Sequence, residues 1–263
     1  MSDWILNLPV LWMAVVVLGA IYLMTAAIYL VVTALAVAER ARAFKAISPG
    51  MLPPLSVMFA LLVGFLAAQA WSDGDRAHGA VNREASALRA VVILASAFPG
   101  DTEARLRDLV RRHIQDAVTE EWPAMSRHAA TLTIVPPRLA EALNIVLALD
   151  PQGNGQSAAQ RELVQSLEVA LDARRQRIIL SESSINWVKW VVLLAQAALT
   201  LLSIAMIHSD NRTTNRIILA VFATSVGVAV VLIASHSRPF SGQLAVSPAV
   251  LLQVMPEAGG PDR

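Results

Sequence analysis

Leu62-Val63-Gly64-Phe65-Leu66-Ala67-Ala68-Gln69-Ala70-Trp71-Ser72, followed by Arg76, Arg83-Glu84-Ala85 and Leu88, is the stretch where an apolar run becomes an amphipathic one without a pause. The run starts at Leu52 and is polar only at Ser56 and Gln69. About 20 such residues in a helix cross the roughly 30 Å hydrocarbon core of a bilayer. Beyond Ser72 the apolar positions Ala87, Val91, Leu94 and Phe98 recur at three- and four-residue steps, the period of an amphipathic helix. Only Gly74 and Gly79 interrupt that phase. The spacing therefore predicts a helix that leaves the membrane and runs on to Phe98-Pro99-Gly100.

Three further runs have the same character. Leu8 to Ala38 contains no charge, Trp187 to Ile207 is charged only at Lys189, and Ile217 to Ser235 is uncharged. A lysine so near a span end can snorkel to the interface. Four spans explain a chain of 263 residues that is 56% hydrophobic and 16% charged, where a soluble domain carries about 25% charge. The first run is too long for a signal-peptide core and lacks a basic segment before it, so it reads as a retained anchor helix. Trp4, Trp12, Trp71, Trp187 and Trp190 lie at or near span ends, where indoles anchor at the interface.

The spans divide the chain into 1–51 (first helix and a short loop), 52–71 (second helix), 72–185 (a polar insert), 186–235 (third and fourth helices) and 236–263 (a tail). The insert holds 13 Lys+Arg and 15 Asp+Glu, a balance without the basic stripe that nucleic acid requires. It reads as helical throughout. Asp101 or Thr102 is placed to cap a helix buried through Leu106, Leu109, Val110, His113, Ile114 and Val118, with Trp122-Pro123 ending it. Another starts after Pro136-Pro137 and stops at Asp150-Pro151. A last one runs from Ser157, with Leu163, Leu167, Ala170, Leu171, Ile178 and Leu180 on one side, and feeds into the third span. The fold class is all-α: four transmembrane helices plus a helical extramembrane domain.

Signals for catalysis are poor. The histidines at 78, 113, 128, 208 and 236 show no metal-binding spacing, there is no cysteine, and no nucleophile elbow or phosphate-binding loop is present. The chain reads as a non-enzyme, with no metal and no cofactor. Glu120-Glu121-Trp122-Pro123 reads as a helix end with solvated carboxylates and an anchoring indole, or else as an acidic contact for a neighbouring subunit's arginines. No Asp, Glu or Arg lies within a span to couple a driving ion, which argues against a transporter.

Val57, Leu61 and Phe65 fall at i, i+4 and i+8 on one helical face, and Ser56, Gln69 and Ser72 are the sparse polar positions around them. In one subunit such a face packs on the other spans. In a ring of copies it stacks apolar rings around an axis, a constriction that gates ions by dewetting.

The segment from Leu62 to Leu88, with its Gly64-Phe65 pair, resembles the pore helix of bestrophins. Arg238-Pro239-Phe240-Ser241-Gly242-Gln243-Leu244, with Val246 and Pro248, is similar to the region after that family's fourth span. Together with Glu121-Trp122-Pro123, the order matches small bacterial bestrophin-like proteins over roughly residues 50–255. The resemblance implies a ring-shaped ion channel, pentameric in bestrophins, in the bacterial inner membrane, with lipid, copies of itself and a permeant ion as partners. It places Val57, Leu61 and Phe65 at a hydrophobic neck, Ser56, Gln69 and Ser72 along the pore, and the insert in the cytoplasm. Lys and Arg counts on the two sides do not orient the chain. Bestrophins carry asparagines and an arginine after the Gly-Phe pair, where this chain has Leu66, Ala67, Ala68 and Gln69. No acidic cluster follows Phe240, so calcium gating is not implied. The other reading is a non-conducting scaffold or sensor whose helical insert binds a partner or small molecule.

Overall fold

The computed structural model describes residues 8–36, 39–133 and 135–257, and all regular structure among them is helical. In chain order the helices are α1 (Val10–Leu35), α2 (Glu39–Ala95), α3 (Asp101–Asp116), a π-helical turn (Ala117–Glu121), α4 (Trp122–Ser126), α5 (Pro137–Leu147), α6 (Asn154–Ser181), α7 (Trp187–Ile207), α8 (Arg212–His236) and α9 (Ala249–Gln253). α1, α7, α8 and the stretch of α2 from Gly50 onward are long and apolar enough to cross a membrane. At 1.5 Å per residue, α2 far outreaches a bilayer. Its most apolar stretch is Leu52–Trp71, and the charged residues of α2 lie before and after it.

The chain divides into two compact units. One comprises Met1–Ser72, Ser184–Arg238 and Gly242–Leu244. Its core is built by Met13, Val17 and Ile21, one stripe of α1 at four-residue steps, against Leu193 and Ala197 of α7 and Ala223, Val226, Val230 and Ile233 of α8. Phe59, Leu66, Ala67 and Ala70 are the contribution of α2. The Phe59 and Phe222 rings meet at 5.9 Å. Where α1 meets α8, a methyl group on Gly227 would land on Leu18 Cδ2, so glycine is what lets the two helices approach. Polar pairs add to this packing: Tyr22 Oη lies 2.7 Å from Thr224 Oγ1, and Gln196 Nε2 donates to the Leu55 carbonyl at 3.0 Å. Asn186 and Asn211 accept backbone N–H bonds at the starts of α7 and α8, the usual service of an asparagine N-cap.

The second unit comprises Asp73–Ser183, Pro239–Ser241 and Ala245–Arg263. Its core stacks Ala77, Val81, Leu88, Val91 and Ala95 of α2 on Leu106, Val110 and Ile114 of α3, Leu139, Ala142 and Val146 of α5, and Leu163, Leu167, Ala170 and Ile178 of α6. Phe240, Val246 and Leu251, from the stretch read as a tail, belong to the same core. That stretch is folded through α9.

Several local expectations are corrected. The short loop read before the second span is helical from Glu39. Neither Asp101 nor Thr102 caps α3: Asp101 is its first residue, and the cap is Gly100 at φ 96°, a conformation glycine adopts freely. Trp122-Pro123 does not end the helix. Pro123 sits in the first turn of α4, where its missing N–H has no helical partner to lose. The last helix of the insert starts earlier than Ser157 and does not feed into the third span, because 182–186 break the helix before Asn186 caps α7. Trp12, Trp71 and Trp187 are exposed, as interface anchors should be, but Trp190 is buried in the core. Trp4 lies outside the described residues.

Candidate functional site

Within the membrane unit, the span of α2 has two unlike faces. Phe59, Leu66, Ala67 and Ala70 are buried, while Val57, Leu61 and Phe65 are 58%, 56% and 72% exposed. Helical geometry explains why these three stay together: positions four apart lie nearly above one another. Gly64, Ala68 and Ser72 extend the exposed strip, which carries no charge. The strip is therefore not packed against the other spans of its own subunit.

The polar candidates separate. Ser72 is exposed at the end of the strip and Ser56 is half-buried at its margin. Gln69 is engaged inside the subunit, its Oε1 accepting from Lys189 Nζ of α7 at 2.6 Å. That bond also gives Lys189 a partner of its own within the fold.

The second unit contains a charge network that sequence reading missed. Glu84 and Arg177 are both fully buried. Arg177 Nε donates to Glu84 Oε2 at 2.7 Å and Nη2 to Oε1 at 3.1 Å, a two-pronged pair. The same Nη2 donates to Glu121 Oε2 at 2.7 Å, and Arg174 Nε to Glu121 Oε1 at 2.7 Å. His113 Nε2 lies 3.0 Å from Glu84 Oε1. An ionised carboxylate only accepts, so this nitrogen carries the hydrogen.

Neighbouring helices converge to make this arrangement. Arg174 and Arg177 are three apart on α6 and so share a face, and the π turn ends on Glu121. The Arg177 guanidinium lies 4.6 Å from the Trp122 ring centre. Trp122 donates its indole N–H to the Val246 carbonyl at 3.0 Å and meets Phe240 edge-on at 5.8 Å. Ser241 Oγ donates to the Ser126 carbonyl at 2.7 Å. Glu121-Trp122-Pro123 and Pro239-Phe240-Ser241, far apart in sequence, are thus one packed assembly. Glu121 is neither a solvated carboxylate nor reserved for a neighbouring subunit: its arginines come from its own chain.

Burial alone would push the Glu84 carboxyl up, but the Arg177 guanidinium and the His113 hydrogen bond outweigh it and hold the carboxyl down at about 2, from an ordinary 4.5. Glu121 follows the same logic: burial raises it, and Arg177 with Arg174 lowers it further. A carboxylate whose pKa falls on folding stabilises the fold fully above its ordinary value, and that contribution is lost as pH drops through the folded value. The thermal midpoint of the helical unit should therefore hold steady down to about pH 4.5 and fall between there and about pH 2. Glu84→Gln should lower the neutral-pH midpoint and flatten the acid slope, measured by circular dichroism in detergent. An unchanged slope would mean that Glu84 does not titrate this way.

A family model described as Bestrophin-like domain matches residues 19–251. Among curated proteins nothing matches. Among solved structures, a single-residue variant of a bacterial bestrophin homologue from Klebsiella pneumoniae superposes at TM-score 0.69 with 12% identity, covering 92% of this chain and 97% of its own. Another variant of that homologue gives TM-score 0.65 at 12% identity, covering 89% and 96%. A structure described as a membrane protein gives 0.69 at 12% identity, covering 92% and 96%. At such low identity these likenesses establish the fold.

Proposed function

The chain belongs to the bestrophin-like family, and from that premise we propose that it is a homo-oligomeric membrane ion channel whose second span lines the pore. Five copies form the ring, as in bestrophins, with Val57, Leu61 and Phe65 as the hydrophobic neck. The ring sits in the cell membrane with the helical unit on the cytoplasmic side. The observation that carries the proposal is the exposure of those three side chains on one strip of α2. Only 17% of the most apolar window of α2 is buried, against 22% for α1, 44% for α7 and 39% for α8, so α2, with α1 close to it, leaves much of its surface for neighbours. An uncharged strip sets no preference for anion or cation, and selectivity must come from elsewhere along the path. Ser72 lies at the end of the strip and Ser56 at its margin, whereas the bond from Lys189 makes Gln69 the weakest of the pore-lining candidates.

The chain has no cysteine, so a thiol placed by mutation is unique. We expect Leu61→Cys, in membranes, to react with a water-soluble methanethiosulfonate that then cuts the current, and to cross-link copies under oxidation. A thiol that reacts only with lipid-dissolved maleimide would put this strip against lipid and end the pore assignment.

A further inference from the structure

The uncharged strip of α2 leaves ion preference to another part of the path, and the membrane unit offers a charge for it. Across the four apolar runs, Lys189 is the single charged residue. We propose that the Lys189 ammonium, held on α2 by Gln69, gives the channel a preference for small inorganic anions.

Three features make this lysine costly where it stands. It is half-buried in a span. It lies in the first turn of α7, which holds no acidic residue; that end of a helix is the positive end of its dipole, the unfavourable one for a cation. Its partner is a neutral amide: Nζ donates to Gln69 Oε1 at 2.6 Å, and no carboxylate among the described residues pairs with it. A lysine serving only as an interfacial anchor carries its head to water, whereas this one turns to α2. An ionisable side chain kept within a span at such a cost is the usual mark of an ion path.

Gln69 fixes where the charge acts. It lies four residues past Phe65 on the same helix, about 6 Å further along the axis at 1.5 Å per residue. The ammonium is therefore held roughly one turn beyond Val57, Leu61 and Phe65. An apolar surrounding screens a charge far less than water does. In a ring each copy brings one such charge, and rings of lysine or arginine select anions. Asp75 and Arg76, the first exposed charges of α2 past Ser72, are opposite in sign and open to solvent, where salt screens them.

This inference rests on the proposed pore, and its test tells the two apart. The purified protein in planar bilayers under a KCl gradient should reverse on the chloride side. Lys189→Gln keeps a donor for Gln69 and removes the charge; it should lower the chloride-to-potassium permeability ratio about tenfold, as for a change of about 1.4 kcal/mol. Gln69→Glu sets a carboxylate against the ammonium, neutralises it, and should lower the ratio in the same way. Lys189→Arg, which restores the charge, should restore the preference for anions. A pair that merely ties α7 to α2 predicts otherwise: Gln69→Glu would strengthen the tie and leave the ratio alone. That result, a parent that reverses on the potassium side, or a ratio indifferent to Lys189→Gln would each overturn the assignment, while a current blocked through the thiol of Leu61→Cys would keep the pore in place. A parent without current would remove the pore and this inference together.

Discussion

Arg177→Ala is expected to cost the helical unit about 3–5 kcal/mol, the range for breaking a buried ion pair by removing one partner. The loss is large because Arg177 is fully buried and serves two carboxylates, Glu84 at 2.7 and 3.1 Å and Glu121 at 2.7 Å. Without it, Glu84 keeps only His113, and its ionised form is stranded in the core. Trp122 also loses the cation over its ring, a contact worth about 2 kcal/mol when desolvated. Since a domain is stable by only about 5–15 kcal/mol, the variant should be cleaved by trypsin within the insert at concentrations the parent survives. Its thermal transition in detergent should drop or vanish.

The reason for the loss can be separated from its size. Replacing both partners with apolar residues, as in Glu84→Leu with Arg177→Met, removes the stranded charge and leaves Glu121 with Arg174. Such exchanges are often neutral or stabilising. The double variant should therefore be more stable than Arg177→Ala, a non-additivity expected of residues in one network. If Arg177→Ala costs less than about 1 kcal/mol, the value of a surface pair, then water reaches this core and the network does not hold it together.

The four spans were legible because uncharged runs of about 20 residues have one stable setting. The charged core was harder to read, yet its signal is present. Ala77, Val81, Glu84, Leu88, Val91 and Ala95 step by four and three along α2, and Leu163, Leu167, Ala170, Arg174, Arg177 and Ser181 do the same along α6; all of them are buried. Following only the apolar positions leaves Glu84 and the arginines out of both stripes. What the sequence withholds is the pairing, since Glu84 and Arg177 are 93 residues apart and any buried arginine would suit either carboxylate. For the same reason the Arg-Pro-Phe-Ser stretch read as a tail: nothing local says that Phe240 packs on Trp122. The strip of Val57, Leu61 and Phe65 was legible as a helical face, but a face at four-residue steps is equally the mark of a core stripe. Exposure in the folded subunit separated the two.

Leu61→Ala and Phe65→Ala are expected to raise the current of the purified protein in planar bilayers, roughly tenfold for either one, as when a conduction barrier falls by about 1.4 kcal/mol. An apolar constriction resists ions because it sheds water, and shortening the side chains that form it widens the hole and lets water in. Both residues are more than half exposed, at 56% and 72%, so truncation leaves no cavity in the subunit's core and should barely shift the thermal midpoint. Phe59→Ala is the contrast. Phe59, on the buried side of α2, is 9% exposed and meets the Phe222 ring of α8, so its loss should cost about 3–5 kcal/mol without opening the pore. A strip lying against lipid predicts something else: neither exposed substitution would change conduction. If the parent protein carries no current and neither exposed variant releases any, the neck does not exist. The strip would then be a surface for lipid or a partner protein, and its exposure would report packing alone.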